Sequence, residues 1–227
     1  MFRVSQLIGF MAGAAGAATV EFLGTTVSTA VAANYTFSSV NLGIASGTSR
    51  VVVVAFVTNG GGSQDAFSAI TVEGVGGVVA QTTGGSGGVL QKAICGTAVA
   101  TVAADTGTVQ VNTSGGASGS GCVIAVYRLN NLQQGTAFDT VTADTGAGTA
   151  TSVSGSVDIH AHGILIFGVA VRLEVPSGSG ATEDDSANAT VGYWVGSNQD
   201  MSAETARSVS ATFGTARAGA LSGASFY

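Results

Sequence analysis

The chain has 227 residues, 45% of them hydrophobic, with 35 glycines and a single proline, Pro176. It is long enough to bury a real core and too apolar for a disordered tail, and glycine without proline argues against collagen. Seven basic residues against thirteen acidic ones give a net charge of −6, which leaves no electrostatic footprint for a phosphate backbone and excludes nucleic acid as a partner.

The segment "VSQLIGFMAGAAGAAT" (4–19) is the one stretch that does not read as a strand. Arg3 upstream and the small residues at its end resemble a secretory signal. Its apolar centre, however, is interrupted by Gly9, Gly13 and Gly16, and it is too short and glycine-rich to span a bilayer. Residues 1–19 are therefore read as a docking arm, in which Leu7, Ile8, Phe10 and Met11 meet a neighbouring subunit or the body.

Residues 20–227 are read as an all-β body. "NYTFSSVNLG" (34–43) alternates as a half-buried strand does, and "RVVVVAFVTNG" (50–60) is a β-branched run buried on both faces and closed by Asn59-Gly60. "AFSAITVEGVGGVVAQTTGG" (66–85) predicts two strands about a glycine bend, followed by strands in "VLQKAICGTAVA" (89–100) and "GTVQVNTSGG" (107–116). "CVIAVYRLN" (122–130) and "GILIFGVAVRL" (163–173) read as core strands, with two amphipathic strands around Gly146 and Gly148 between them. "QDMSAETARS" (199–208) is read as one helical turn or a loop, while "ANATVGYWVGS" (187–197), "SVSATFGTARAGA" (208–220) and "GASFY" (223–227) continue the strands.

Two stretches share one plan: "TFSSVNLGIASGTSRVVVVAF" (36–56) and "TSVSGSVDIHAHGILIFGVAV" (151–171) each run from an amphipathic strand through a turn-rich bend to an apolar strand. About a dozen strands with almost no helix predict an antiparallel β-sandwich, jelly-roll-like, with a short N-terminal arm.

The chemical inventory is sparse. His160 and His162 are spaced to share a face of a strand, but no third ligand completes a metal site. "TEDDSAN" (182–188) gathers Glu183, Asp184 and Asp185 without the spacing that wraps calcium, and reads as a solvated loop. "GGSGG" (84–88) matches a nucleophile elbow only formally, since a strand follows it rather than a helix. Three N-x-[ST] sequons, at Asn34, Asn112 and Asn188, are expected by chance in a chain so rich in Asn, Thr and Ser. Cys95 and Cys122 sit in predicted strands, as a disulfide or as buried free thiols. Tyr193 and Trp194 point to opposite faces of their strand, one into the core and the other a candidate glycan contact. No catalytic residue, metal ligand or cofactor site is assigned.

"LIGFMAGAAGA", "EFLGTTVSTAVAANYTFSSVNLGIASGTSRVVVVAFV" and "AITVEGVGGVVAQ" together resemble a group of tailed-bacteriophage and prophage structural proteins. Those begin with a short Ser/Leu-Leu/Ile-Gly-Phe-Gly/Ala arm and continue with a Tyr-Thr-Phe-Ser-x-Val-x-Leu-Gly strand and an Arg-Val-Val-Val-Val core strand. The resemblance covers roughly the first 80 residues, and Met11-Ala12 stands where such proteins carry glycine-rich residues. It implies a non-enzymatic virion component, assembled in the bacterial cytoplasm, that decorates or cements the capsid or forms a head or tail spike or fibre. Its expected partners are capsid or tail proteins and further copies of itself, a trimer being favoured from virion symmetry. The alternative is a carbohydrate- or receptor-binding adhesin module, on a virion or secreted, that meets a host surface glycan.

Overall fold

The computed structural model describes residues 17–59, 66–85, 92–114, 119–146 and 148–227. Leu7, Ile8, Phe10 and Met11 of the predicted docking arm lie outside the described residues.

Among the described residues there are sixteen strands and no helix. The first eight are β1 (Thr19–Ser28), β2 (Asn34–Asn41), β3 (Arg50–Asn59), β4 (Phe67–Val72), β5 (Gly77–Gly84), β6 (Lys92–Ala100), β7 (Thr106–Thr113) and β8 (Gly119–Asn130). The second eight are β9 (Asp139–Asp144), β10 (Ala150–Ile159), β11 (Gly163–Val171), β12 (Ser177–Ser179), β13 (Thr182–Asn188), β14 (Gly192–Met201), β15 (Glu204–Arg217) and β16 (Gly219–Phe226).

The two sets of eight use one strand order. β1-β8-β3-β6-β5 and β2-β7-β4 form the sheets of the N-terminal half; β9-β16-β11-β14-β13 and β10-β15-β12 form those of the C-terminal half. Read within each half, the large sheet is first-eighth-third-sixth-fifth and the small sheet second-seventh-fourth. All named strand pairings are antiparallel. The two stretches that share a plan in the sequence are β2–β3 and β10–β11, the same positions of the two halves.

The four sheets stack as layers, small-large-large-small, with three cores between them. The first core lies between the N-terminal half's two sheets, where Val51, Val53 and Val57 meet Tyr35, Phe37, Ile70 and Val111. The central core joins the two large sheets: Val52, Val54, Phe56, Tyr127 and Leu129 face Ile164, Ile166, Tyr193, Val195 and Phe226. The third lies inside the C-terminal half, where Leu165, Phe167 and Val169 meet Val153, Val157, Val209 and Phe213. β3 and β11 are covered on both faces, which is why they read as unbroken apolar runs and not as alternating ones.

β1 lies over β13 and β14, β3 over β11, and β5 over β9 and β16. Exchanging the halves turns the first contact into the last and returns β3 over β11 to itself, the relation of a two-fold axis passing between those strands. Small residues let the large sheets approach there. A Cβ on Gly168 would stand 2.6 Å from the Phe56 ring, and Cys95 Sγ donates to Gly168 O at 3.3 Å. Thr97 and Ser222 are linked hydroxyl to hydroxyl at 2.9 Å, both buried.

The structure alters three readings. "TEDDSAN" is strand β13 rather than a loop, because its alternate residues pair with β14 and its carboxylates find hydrogen-bond donors. "QDMSAETARS" is the end of β14, the two-residue connection Ser202-Ala203 and the start of β15, with Asp200 and Ala206 at positive φ, and forms no helical turn. Sixteen short strands replace about a dozen, chiefly because the tail from residue 177 holds five of them. Cys95 and Cys122 are free and buried, on opposite faces of one sheet: Cys95 in the central core, Cys122 in the first. Burial pushes both thiols up.

Arg128, on β8, is wholly buried, yet its guanidinium makes no ion pair among the described residues. It donates instead to four backbone carbonyls: Nε to Leu42 O (2.6 Å), Nη1 to Val102 O (2.7 Å), and Nη2 to Gly43 O and Ala104 O (both 2.9 Å). One side chain thereby ties β8 to the chain leaving β2 and to the β6–β7 connection, closing that end of the N-terminal sandwich. Burial lowers its pKa, and the fields of Asp105 and Glu21 act against that.

Arg128→Met fills similar volume but orphans those carbonyls, so urea unfolding is expected to show a loss on the order of 3 kcal/mol with an unchanged m-value. A thiol reagent is expected to titrate Cys95 and Cys122 only at the rate of unfolding, and fast labelling of native protein would contradict their sealed positions.

Candidate functional site

β13 is an edge strand of its sheet and carries the acidic run of the chain. Its register against β14 slips between Glu183 and Asp185, so Asp184 is the extra residue of a β-bulge. In a regular strand Asp184 and Asp185 would point to opposite faces; the bulge turns both toward the seam where β1 and β8 meet β13 and β14.

Each carboxylate finds a donor on the other half of the molecule or on β14. Tyr127 Oη, from β8, donates to Asp184 Oδ2 at 2.9 Å. Asp185 Oδ2 accepts from Thr25 Oγ1 of β1 at 2.6 Å and from Tyr193 Oη of β14 at 2.8 Å. Glu183, on the opposite face, accepts from Trp194 Nε1 at 2.7 Å and from Ser186 Oγ at 2.8 Å. Beside the aspartates lies a cleft of about 380 Å³, lined by Val20, Phe22, Thr182, Asp184, Ser197, Asn198 and Gln199. Gln199 Oε1 accepts from Val20 N–H at 3.2 Å, so the start of β1 forms one wall.

Asp184 is held above its ordinary range, first by burial; hydrogen bonds from Ser197 and Tyr127 pull the other way and do not overcome it. Tyr127 is pushed well up, by burial and then by the Asp184 and Asp185 charges. Tyr193 is raised mainly by burial. Phenols that keep their protons are fixed donors, and the carboxylates facing them are acceptors, so the chemistry of the seam is cross-linking by hydrogen bonds between the halves.

Tyr193 and Trp194 do point to opposite faces, but both rings are core, at 3% and 1% exposure. Tyr193 stacks on Phe56 in the central core, with centroids 5.4 Å apart, and Trp194 packs on Phe167 in the third, at 4.8 Å. Four-layer stacking covers both faces of β14 where a two-layer sandwich would leave one open. Neither ring therefore offers a face to a sugar.

The histidines do not converge either. His160 stacks on Tyr227, with centroids 3.9 Å apart, while His162 lies at a turn with φ +58° and contacts Asp200 at 2.7 Å. No group of three metal-ligating side chains occurs among the described residues. Most of "GGSGG" lies outside the described residues. Sequence reading missed Thr25 and Tyr127; the available signal was "VYR" at the end of an apolar strand, two hydrogen-bonding side chains where a core strand offers only carbon.

The class defined by these features is an all-β protein of antiparallel sheets packed face to face, with a polar latch where its halves meet. Comparison of the chain with known protein families, curated proteins and solved structures yields no match.

Because the folded pKa of Asp184 is raised, its contribution is fully present below the unfolded value and is lost as pH rises through the folded one. Asp184→Asn keeps an oxygen for Tyr127 and removes the desolvated charge. The variant is expected to unfold at slightly higher temperature than the parent at pH 7, with the gap closing on acidification. A variant that is less stable at pH 7 would mean that the charge itself is favourable there.

Proposed function

We propose that this protein is a non-enzymatic structural component of a tailed-phage or prophage particle: a capsid decoration or cement protein, or a head or tail spike. The observation that carries the reading is how β1 is placed. Ala18, Val20 and Phe22 pack against the central core at the seam of the two halves. The apolar segment before them, with Leu7, Ile8, Phe10 and Met11, thus leads into a strand packed on the central core, as a docking arm requires. The strand order supports a jelly-roll-like reading of each half, with first-eighth-third-sixth in one sheet and second-seventh-fourth in the other; the fifth strand joins the larger sheet instead of the smaller.

The outer faces suit packing against neutral protein surfaces. On the C-terminal half, Ser152, Thr212 and Ser177 form one row across three strands, and Ser154, Ser210 and Ser179 the next. On the N-terminal half, Thr36, Gln110 and Thr71 form the matching row. Partners in this reading are other virion proteins and further copies of the chain, with a trimer favoured, and no step requires a cofactor. The adhesin alternative has no support from Tyr193 or Trp194, so a host glycan would be met elsewhere on the surface.

Light scattering coupled to size exclusion tests the assembly. The full-length chain is expected to run as a concentration-dependent oligomer, while Ile8→Asp combined with Phe10→Asp gives a monomer with an unchanged unfolding temperature. A full-length chain that stays monomeric at high concentration and does not sediment with particles from its host would overturn the reading.

A further inference from the structure

The two halves differ at one end. In the N-terminal half, the space between the end of β2 and the β6–β7 connection is plugged by the Arg128 guanidinium, which saturates the carbonyls of Leu42, Gly43, Val102 and Ala104. The corresponding place in the C-terminal half lies between the end of β10 and the β14–β15 connection. There the eighth strand supplies a serine, Ser225, whose hydroxyl reaches only Asp158 O at 2.7 Å. What remains is a pocket of about 170 Å³ lined by Phe138, Asp158, Ile159, Ala203, Glu204 and Thr205.

The pocket is furnished for a cation. Phe138 is 43% exposed, unusual for so large an apolar ring, and is held edge-on by His160 and Tyr227 at 5.5 Å each. Asp158 Oδ1 accepts from Ala206 N–H at 2.7 Å, and its second oxygen has no partner among the described residues. Asp139, behind the pocket and not part of its lining, fixes the Asp158 backbone by accepting from its N–H at 2.7 Å. Glu204 is neutralised by Arg207, both oxygens lying 2.9 Å from one Nη, so the uncompensated charge in the lining belongs to Asp158. An aromatic face beside unpaired carboxylate favours a planar cation over any neutral group.

We propose that this open end is a binding site for an arginine side chain presented by a partner protein, which completes in trans the closure that Arg128 makes within the chain. The sister half identifies the ligand: the same end of the same strand order is already filled by a guanidinium. The site stands apart from the assembly reading, since it involves neither the arm nor the seam.

Titration of the isotope-labelled full-length chain with N-acetyl-arginine amide, followed by amide NMR, tests it. Saturable shifts are expected at Phe138, Thr205 and Ala206, weakening as salt is raised. N-acetyl-citrulline amide, of the same shape but uncharged, is expected to produce none. Asp158→Asn and Phe138→Ala, both at exposed positions, should each weaken binding at least tenfold while leaving the unfolding temperature close to that of the parent. A response that never saturates, or an equal response to the citrulline compound, overturns the proposal. Neither result bears on oligomerisation, so this test and that of the assembly reading fail separately.

Discussion

The rest of the structure depends on the contact between the two large sheets. Each has a small sheet on one side and the other large sheet on the opposite side, so no residue in the middle of β3, β6, β8, β11 or β16 reaches water. That requirement dictates composition. Strands covered on both faces cannot alternate polar with apolar, so valine, isoleucine and alanine run without interruption, and where the sheets close tightly only small side chains fit. Gly168 against Phe56 and the run Gly219–Phe226, rich in glycine, alanine and serine, are the visible result.

Apart from Tyr35 Oη and Thr190 Oγ1, buried without a partner among the described residues, the polar side chains of this interior are satisfied, and they mark the junctions. Arg128 joins strand ends within a half, while Tyr127 with Asp184 and Thr25 with Asp185 join one half to the other. A buried polar group left unpaired costs more than a paired one contributes, so such contacts act chiefly against misregistered alternatives. A one-residue slip of β13 would return Asp184 to the opposite face and strand Tyr127 without an acceptor. The bulge therefore pins the register of the edge strand as well as aiming a side chain.

Much of the fold was legible because period and burial are local signals. "RVVVVAF" and "GILIFGVAV" announce doubly covered strands by themselves, and their shared plan with the preceding amphipathic strands foreshadows two like halves. The halving itself was not legible: it rests on β1 pairing with β8, roughly a hundred residues away in sequence, and on β9 pairing with β16, roughly eighty residues away. The acidic run misled because isolated carboxylates belong in water, and it is donors from other strands, Thr25, Tyr127, Tyr193 and Trp194, that let β13 hold them. Tyr193 and Trp194 misled for a related reason, since alternation predicts opposite faces correctly but says nothing about how many layers cover them. The pocket at Phe138 was out of reach, because it exists by comparison of one half with the other.

The pairing of first with eighth strand in each half has a consequence for biosynthesis. A chain emerging from the ribosome holds β1 as an unpaired edge until β8 has been made, and then the N-terminal half can close alone. At that moment the second face of its large sheet, with Val52, Val54, Phe56, Val123 and Ala125, has nothing against it. It stays uncovered until β11, β14 and finally β16 arrive, and β16 belongs in the middle of its sheet, between β11 and β9. The nascent protein thus carries a broad sticky surface through the whole translation of its second half. A holdase chaperone covering that face over the interval would raise the yield of folded chains.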